Sequence, residues 1–311
     1  MVSLRKIHFY WRNKPGSLMI SVLNRLCISP LLSDRVYLRL VYRTDAGYWM
    51  DFDNPRTFQE KLQWLKVNDK NDRYSQMVDK VGAKDYVANL VGEEYIIPTL
   101  AVYNSVEEID FEALPDQFVL KTTHDSQSAI ICVDKKTFDK KSALKRFKKK
   151  LKTQYYWRSR EYPYRDVKPR ILAEKYMGEL GAKDMVDYKF FCFNGQPKYC
   201  QVIKDRSTQE TIDFFDENWQ HQEFYGLTPG IKQSLVPIPK PKNYDKMLEI
   251  AQVLSQDIPF VRVDLYNVNG KIYFGEMTFF PNGGFGTFTP KEWNLKLGDM
   301  LDISMDSNKK I

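Results

Sequence analysis

Histidine and cysteine are scarce in this 311-residue chain, three and four in number, and each scarcity removes a class of chemistry. Cys27, Cys132, Cys192 and Cys200 show no C-x-x-C spacing, so neither a zinc site nor a disulfide framework is expected. The last three lie in strand-like apolar runs, where a small buried thiol is the plain reading. With only His8, His124 and His221 available, a catalytic metal would be held by carboxylates, which suits Mg²⁺ or Mn²⁺. No apolar run approaches the ~20 residues needed to span a bilayer. The 15 glycines and 15 prolines are too few for a collagen-like or low-complexity chain. Met1 to Pro15 carries Arg5, Lys6, Arg12 and Lys14 without the apolar stretch and small-residue cleavage site of a secretory signal, so a cytoplasmic location is expected.

What is present is the material of a globular protein: 43% apolar, 14% aromatic and 28% charged residues. The net charge of +7 has a local source in Lys145-Arg146-Phe147-Lys148-Lys149-Lys150-Leu151-Lys152. Such a run suits nucleic acid, an acidic polymer or an anionic membrane. Leu144, Phe147 and Leu151 recur at i, i+3 and i+7, however, so the preferred reading is a surface helix with one apolar stripe and a solvated basic face. No nucleic-acid partner is expected, and the basic N-terminus leaves room for a peripheral contact with the inner face of a membrane.

The pattern along the chain is helical from Asn54 to Pro98. Thr57 with Glu60 reads as a capping box before Phe58, Leu62 and Leu65, and a second helix is expected from about Tyr74 to Leu90, closed by Gly92. Strands follow: Tyr95 to Val102, Phe118 to Lys121, Ala129 to Val133 and Ile171 to Met177. Asp187 to Phe193 turns at Asn194-Gly195 into Lys198 to Ile203, a type I′ signal. After a helix from Asn243 to Leu254, Val261 to Tyr266 pairs with Lys271 to Met277.

Charges interrupt five of these apolar runs, at Lys121, at Glu174 with Lys175, at Lys189, at Arg262 with Asp264, and at Glu276. Each alone reads as a strand end or an outward-facing residue. Together they supply cations for a polyphosphate and carboxylates for a hard cation. The last hairpin tests this, because side chains alternate along a strand and register decides which share a face. A three-residue loop with Gly270 left-handed pairs Arg262 with Glu276 and places Arg262, Asp264 and Glu276 on one face. A two-residue Asn269-Gly270 turn puts Asp264 and Glu276 on opposite faces.

These residues, in this order, carry a resemblance. Asn54-Pro55-Arg56-Thr57-Phe58 with Glu60-Lys61, Asp79-Lys80, Phe118-Val119-Leu120-Lys121 with His124, Arg160-Glu161 with Tyr164, Asp187-Tyr188-Lys189-Phe190, Asp205-Arg206, Arg262-x-Asp264 and Gly275-Glu276-Met277-Thr278-Phe279-Phe280-Pro281 are similar to blocks of the TupA-like ATP-grasp family. That family is linked to teichuronopeptide and other bacterial cell-surface polysaccharide synthesis. The resemblance runs from about Asn54 to Gly298. It implies an α+β protein of ATP-grasp fold, with two α+β lobes enclosing a nucleotide cleft, preceded by a helical N-terminal region. The corresponding divisions are residues 1–53 for the basic N-terminal segment, 54–115 for a region before the lobes, 116–176 for the first lobe and 177–311 for the second.

The resemblance also implies roles. ATP would be held by Lys121, His124, Ser126, Glu174, Lys175, Met177, Asp187 and Lys189, with the two lysines on the phosphates and the backbone of Lys175 and Met177 on adenine. Asp264, Glu276 and Thr278 would bind Mg²⁺ or Mn²⁺, Thr278 standing where many relatives have asparagine. Arg262 would stabilise the oxyanion formed when an amine attacks an acylphosphate, with Lys189 as its catalytic companion. The implied activity is an ADP-forming ligase joining a uronic acid or amino-acid carboxylate to an amine, its partners being ATP, that saccharide or amino-acid carboxylate, and the amine. The alternatives are a glycosyl or phosphoryl transferase acting on the same polymer, and a catalytically degenerate assembly factor. The last draws on one departure from the family pattern: the loop after Lys121, Thr122 to Ser128, has no glycine to cradle phosphate and contains Asp125, which either turns outward or weakens nucleotide binding. Tyr155, Tyr156, Trp157, Tyr162 and Tyr164, interleaved with Arg158, Arg160 and Arg165, have the composition of a sugar- or anion-binding lid, with packing against the neighbouring lobe slightly preferred.

Overall fold

In the computed structural model residues 29–178, 185–206, 208–228 and 230–304 are described. His8, Cys27 and the basic stretch from Met1 to Pro15 lie outside them.

Two antiparallel sheets organise the chain. The smaller contains β1 (Thr99–Tyr103), β2 (Phe118–Thr122), β3 (Ile130–Cys132) and β4 (Ile171–Lys175) in the order β1-β4-β2-β3. The larger contains β5 (Asp187–Phe193), β6 (Gln196–Lys204), β7 (Thr211–Asp216), β9 (Phe260–Val268) and β10 (Lys271–Thr278) in the order β10-β9-β5-β6-β7. Every residue of β5 is buried, as expected of a central strand covered on both faces. A short ribbon pairs β8 (Tyr225–Gly226) with β11 (Phe288–Thr289).

Before the sheets come α1 (Asp34–Ala46), α2 (Phe58–Asn68), α3 (Arg73–Val78) and α4 (Gly82–Val91). The capping box forms as read: the Glu60 amide donates to the Thr57 hydroxyl at 3.2 Å, and the Glu60 carboxylate accepts from the Thr57 and Arg56 amides, both at 2.9 Å. Thr57→Ala should lower stability by about 1 kcal/mol, read as a lower urea midpoint; an unchanged midpoint would show that the cap contributes nothing. The single helix expected from Tyr74 to Leu90 is two. Asp79 leaves helical geometry, and its carboxylate accepts from the Gly82 amide at 3.3 Å and pairs with Arg170 at 2.5 Å, restarting the chain as α4.

Phe58, Leu62, Leu65, Tyr74, Met77 and Val87 of α2 to α4 join the core of the larger sheet, together with Tyr244, Met247, Ile250 and Leu254 of α7 (Tyr244–Ser255). Strand β1, from the same early region of the chain, extends the smaller sheet. The basic run is α5 (Lys140–Lys150), and Ala143 and Phe147 join one apolar cluster with Phe118 of the smaller sheet and Phe111 of the connection before it, with Leu144 and Leu151 half-buried beside them. The helix with one apolar stripe is therefore present, although its basic face is not wholly solvated: Lys150 turns inward. Helix α8 (Trp293–Met300) crosses the start of α2 closely enough that a Cβ on Gly298 would lie 2.2 Å from the Arg56 carbonyl oxygen. Cys132, Cys192 and Cys200 are buried free thiols, and among the described residues no helix is long and apolar enough to cross a membrane.

Candidate active site

The hairpin β9-β10 settles the question of faces by a route that sequence alone did not give. Asn269 and Gly270 form the two-residue turn, both at positive φ, and Lys271 pairs with Val268. On an unbroken ladder this register would oppose Asp264 to Gly275 and send Glu276 to the other face. A bulge at Gly275 inserts one residue, so Glu276 opposes Asp264 and Thr278 opposes Arg262. The three-residue loop and the Arg262–Glu276 pairing are thus corrected, while the shared face is present. Glycine suits the bulge because a Cβ there would lie 3.0 Å from the Asp264 carbonyl oxygen and 3.1 Å from the Tyr266 ring.

On that face the charges interlock. The Arg262 guanidinium donates to both oxygens of Asp264, at 2.6 and 2.7 Å, and reaches Thr278 at 3.1 Å and Glu276 at 3.4 Å. Lys189 of β5, directly opposite Asp264 in the ladder, also pairs with it and lies 3.5 Å from Asp187. Arg206 holds the other side of Asp187 at 2.8 Å. Burial outweighs the neighbouring cations at Asp264, whose carboxyl stays above its ordinary value. At half-exposed Glu276, burial also pushes the pKa up, but Lys189, Arg262, Lys80 and Lys121 together prevail and hold it at about 2. Asp264, Glu276 and Thr278 present oxygen donors only, the ligand chemistry of a hard cation. Among the described residues no group of three or more His, Cys, Asp or Glu side chains gathers as a metal site, on this face or elsewhere, so a cation here would rest on two carboxylates and a hydroxyl.

On the smaller sheet, Glu174 is buried and uses both oxygens on lysines, Lys84 and Lys121, each at 2.6 Å. A carboxylate read as a nucleotide contact thus holds the lysine read as a phosphate contact. The Lys175 amide donates to the Pro98 carbonyl at 3.0 Å, and the strand expected to reach Met177 ends at Lys175, with Met177 in irregular chain just before residues 179–184, outside the description.

The glycine-free loop after β2 does not take the outward-turned form that is one expectation for Asp125. Its carboxylate neither turns outward nor stands bare. It is 3% exposed, accepts from the Thr122 hydroxyl and pairs with Lys150 of α5 at 2.7 Å, so its charge is offset and its side chain braces the loop. Lys80, set at the break between α3 and α4, donates to the Asp125 carbonyl. Burial lowers its pKa, and it acts electrostatically on Glu276 and Lys121, making it a site residue that sequence reading listed without a role. The visible signal was the interruption of helical spacing at Asp79-Lys80. His124 ties the loop to its neighbour. Its Nε2–H donates to the Lys150 and Thr153 carbonyls at 3.3 and 3.1 Å, anchoring the loop to the end of α5. Ser126 meets the Tyr155 hydroxyl at 3.5 Å.

A cavity of about 740 Å³ opens between the larger sheet, the loop after β2 and helices α1, α2 and α5; Lys121, Glu174, Lys175 and Met177 do not line it. Lys189, Arg262, Glu276 and Thr278 form one wall, and Asp125, Ser126 and Lys150 another. The aromatic segment divides. Tyr156 and Arg160 are tied to Asp34 of α1 at 2.7 and 2.9 Å, and Tyr162 to Asp72 at 2.6 Å, which is packing. Tyr155, Arg158 and Tyr164 line the cavity.

Two further charged groups line it that no strand pattern announced. Lys66 and Glu161 are 1% and 4% exposed. Lys66 donates to the Ser159 and Gly283 carbonyls at 3.0 and 2.7 Å, and burial lowers its pKa to about 8 against the pull of Glu161. Burial raises Glu161 to about 7, with Lys66 opposing. A folded carboxyl raised above its unfolded value contributes stability below the unfolded value that is lost as pH rises through the folded one. Wild-type stability relative to Glu161→Gln should therefore fall as pH rises from about 4.5 to 7, measured by urea unfolding across that range; parallel curves would refute it.

Comparison with known proteins follows from this geometry. The family model described as TupA-like ATPgrasp matches residues 60–302. No curated protein matches the chain. Among solved structures, D-alanine–D-alanine ligase from Bacillus anthracis complexed with ATP is 14% identical, with 70% of this chain and 56% of that one covered and a TM-score of 0.38. The ATP-grasp ligase PsnB with a phosphomimetic variant of its minimal precursor, Mg and ADP is 12% identical over 78% and 65%, with a TM-score of 0.39. D-cycloserine synthetase DcsG is 14% identical over 74% and 71%, with a TM-score of 0.38. The chain spans little more than half the length of the first of these.

Proposed function

The chain belongs to the TupA-like ATP-grasp family and has the ATP-grasp fold, and from that premise we propose that it is an ATP- and Mg²⁺-dependent carboxylate–amine ligase acting in bacterial cell-surface polysaccharide synthesis. The observation that carries this reading is the cluster on one face of the larger sheet in which Lys189, Arg262, Glu276 and Thr278 line the cavity and Asp264 is bound beneath Lys189 and Arg262.

Lys121 and Lys189 bind the triphosphate, each arriving already paired with a carboxylate that aims it. Asp264, Glu276 and Thr278 would hold Mg²⁺, which would neutralise charge on the phosphates. Both oxygens of Asp264 are covered by Arg262 and Lys189, so nucleotide binding exchanges those ion pairs for phosphate contacts. The substrate carboxylate attacks the γ-phosphorus, the bond to the β-phosphate oxygen breaks, and ADP leaves. The amine then attacks the acyl carbon and phosphate departs. Arg262 donates hydrogen bonds to the oxyanion of that second step. No side-chain nucleophile is required, in keeping with positioning and charge stabilisation as the main sources of rate in phosphoryl transfer. Uronic acids and amino acids are the substrate carboxylates proposed.

Thermal unfolding with millimolar ATP and Mg²⁺ tests the nucleotide site, since a ligand that binds only the folded state raises the unfolding temperature. The expected result is a rise that requires both components, with ADP release appearing for a uronic or amino acid paired with an amine. No rise at any concentration would refute the reading, and a rise with a UDP-sugar in place of ATP would favour the transferase.

A further inference from the structure

We propose that Glu161 is the amine subsite: it binds the acyl acceptor as an ammonium ion and takes a proton from it before attack. The inference deepens the ligase reading and rests on it. Glu161 is 4% exposed, lines the cavity, and its Oε1 is buried with no hydrogen-bond partner. Leaving a buried carboxylate oxygen unmatched is costly, and such a cost persists where a ligand supplies the missing donor. An ammonium group offers three.

The surroundings fit this occupant. Lys66 of α2 faces Glu161 but directs hydrogen bonds to the Ser159 and Gly283 carbonyls, and no ion pair within 4 Å joins it to the carboxylate. Tyr155 and Arg158 of α6 (Tyr155–Ser159) and the following Tyr164 complete the polar lining on this side. Their rings supply faces that favour a cation, Tyr155 and Tyr164 meeting edge to face at 4.9 Å. Tyr164, Glu161 and Glu276 line the same cavity, so the amine subsite and the acyl-transfer wall open onto one space. A group raised toward neutrality by burial is also a competent proton acceptor near pH 7.

The step balances as follows. The ammonium gives one proton to the Glu161 carboxylate, making the neutral carboxylic acid and a free amine. The amine lone pair forms the C–N bond to the acylphosphate carbon, the C–O bond to phosphate breaks, and the second nitrogen proton leaves with the phosphate. Glu161 returns its proton to solvent when the amide departs.

Binding is testable without turnover. Saturation-transfer NMR on the full chain would use glycine, ethanolamine and glucosamine, each beside its N-acetyl derivative. The expected result is saturable binding of at least one amine, none by its N-acetyl partner, and a loss of affinity of about tenfold or more in Glu161→Gln, as befits removal of a charge-assisted hydrogen bond. Affinity should rise with pH through about 7 as Glu161 ionises, and this dependence should vanish in Glu161→Gln, while Glu161→Asp restores part of it. Near-UV circular dichroism checks that each variant is folded. Absence of binding by every amine, equal binding of the N-acetyl forms, or unchanged affinity in Glu161→Gln would overturn the proposal. ADP release is measured separately, so failure of the ligase reading shows as absent turnover whatever the amine does.

Discussion

Asp264→Ala is expected to lower unfolding free energy by about 3–5 kcal/mol and to reduce ADP release to background. Both effects have one origin. Asp264 is 2% exposed and is the shared partner of Arg262 and Lys189, themselves nearly buried. Removing it leaves two cations side by side in a medium of low dielectric, and the cost of that uncompensated charge exceeds any gain from relieving the burial of the carboxylate. Arg262 keeps Thr278 and Glu276 within reach, and Lys189 keeps Asp187 at 3.5 Å, which favours the lower end of the range. Asp264→Asn separates the two effects. The amide preserves volume and one acceptor, so most stability should return, whereas a neutral oxygen is a poor partner for Mg²⁺ and turnover should remain lost. Urea unfolding and ADP release are the measurements. An Asp264→Ala chain as stable as wild type would mean that this charge cluster is not a buried unit, and an active Asp264→Asn would remove the carboxylate from metal binding.

The second large effect belongs to the smaller sheet. Glu174→Ala should destabilise the chain by about 3 kcal/mol or more, because it strands Lys84 and Lys121 together. Lys84 retains the Ile97 carbonyl at 2.7 Å and the Thr99 hydroxyl at 2.9 Å, but burial already lowers its pKa and Glu174 opposes that shift. At Glu174 burial is overcome by Lys121 and Lys84, leaving the pKa below its ordinary value. A depressed carboxyl contributes stability that is full above its unfolded value and is lost as pH falls toward the folded one. The gap between wild type and Glu174→Ala should therefore be widest near neutrality and close in acid. Adding Lys84→Met to Glu174→Ala should recover part of the loss by removing one stranded charge; no recovery would show that the triad is not energetically coupled.

Much of this protein is local and was legible in the chain itself. The capping box at Thr57, the Asn194-Gly195 turn, the strands carrying Lys121, Lys189 and Asp264, and the family resemblance all follow from short-range chemistry, in which neighbouring residues satisfy one another's backbone groups or alternate between faces. The absence of clustered cysteine and histidine likewise narrowed the metal to a hard cation before any contact was known. Three features were decided only by tertiary structure. The face shared by Asp264 and Glu276 depends on a bulge at Gly275, and a bulge responds to crowding from the facing strand, which sequence spacing does not encode. The charge on Asp125 is offset by Lys150 from a helix 25 residues away, so a loop that reads as hostile to phosphate is compensated through space. The placing of Lys66 beside Glu161 brings a helix to a segment 95 residues distant, on the wall of a cavity that exists only once the chain has folded. Hydrophobic period and turn chemistry act over a few residues, whereas burial and electrostatics act over a few ångströms. Residues adjacent only in the second sense become visible when the chain has folded.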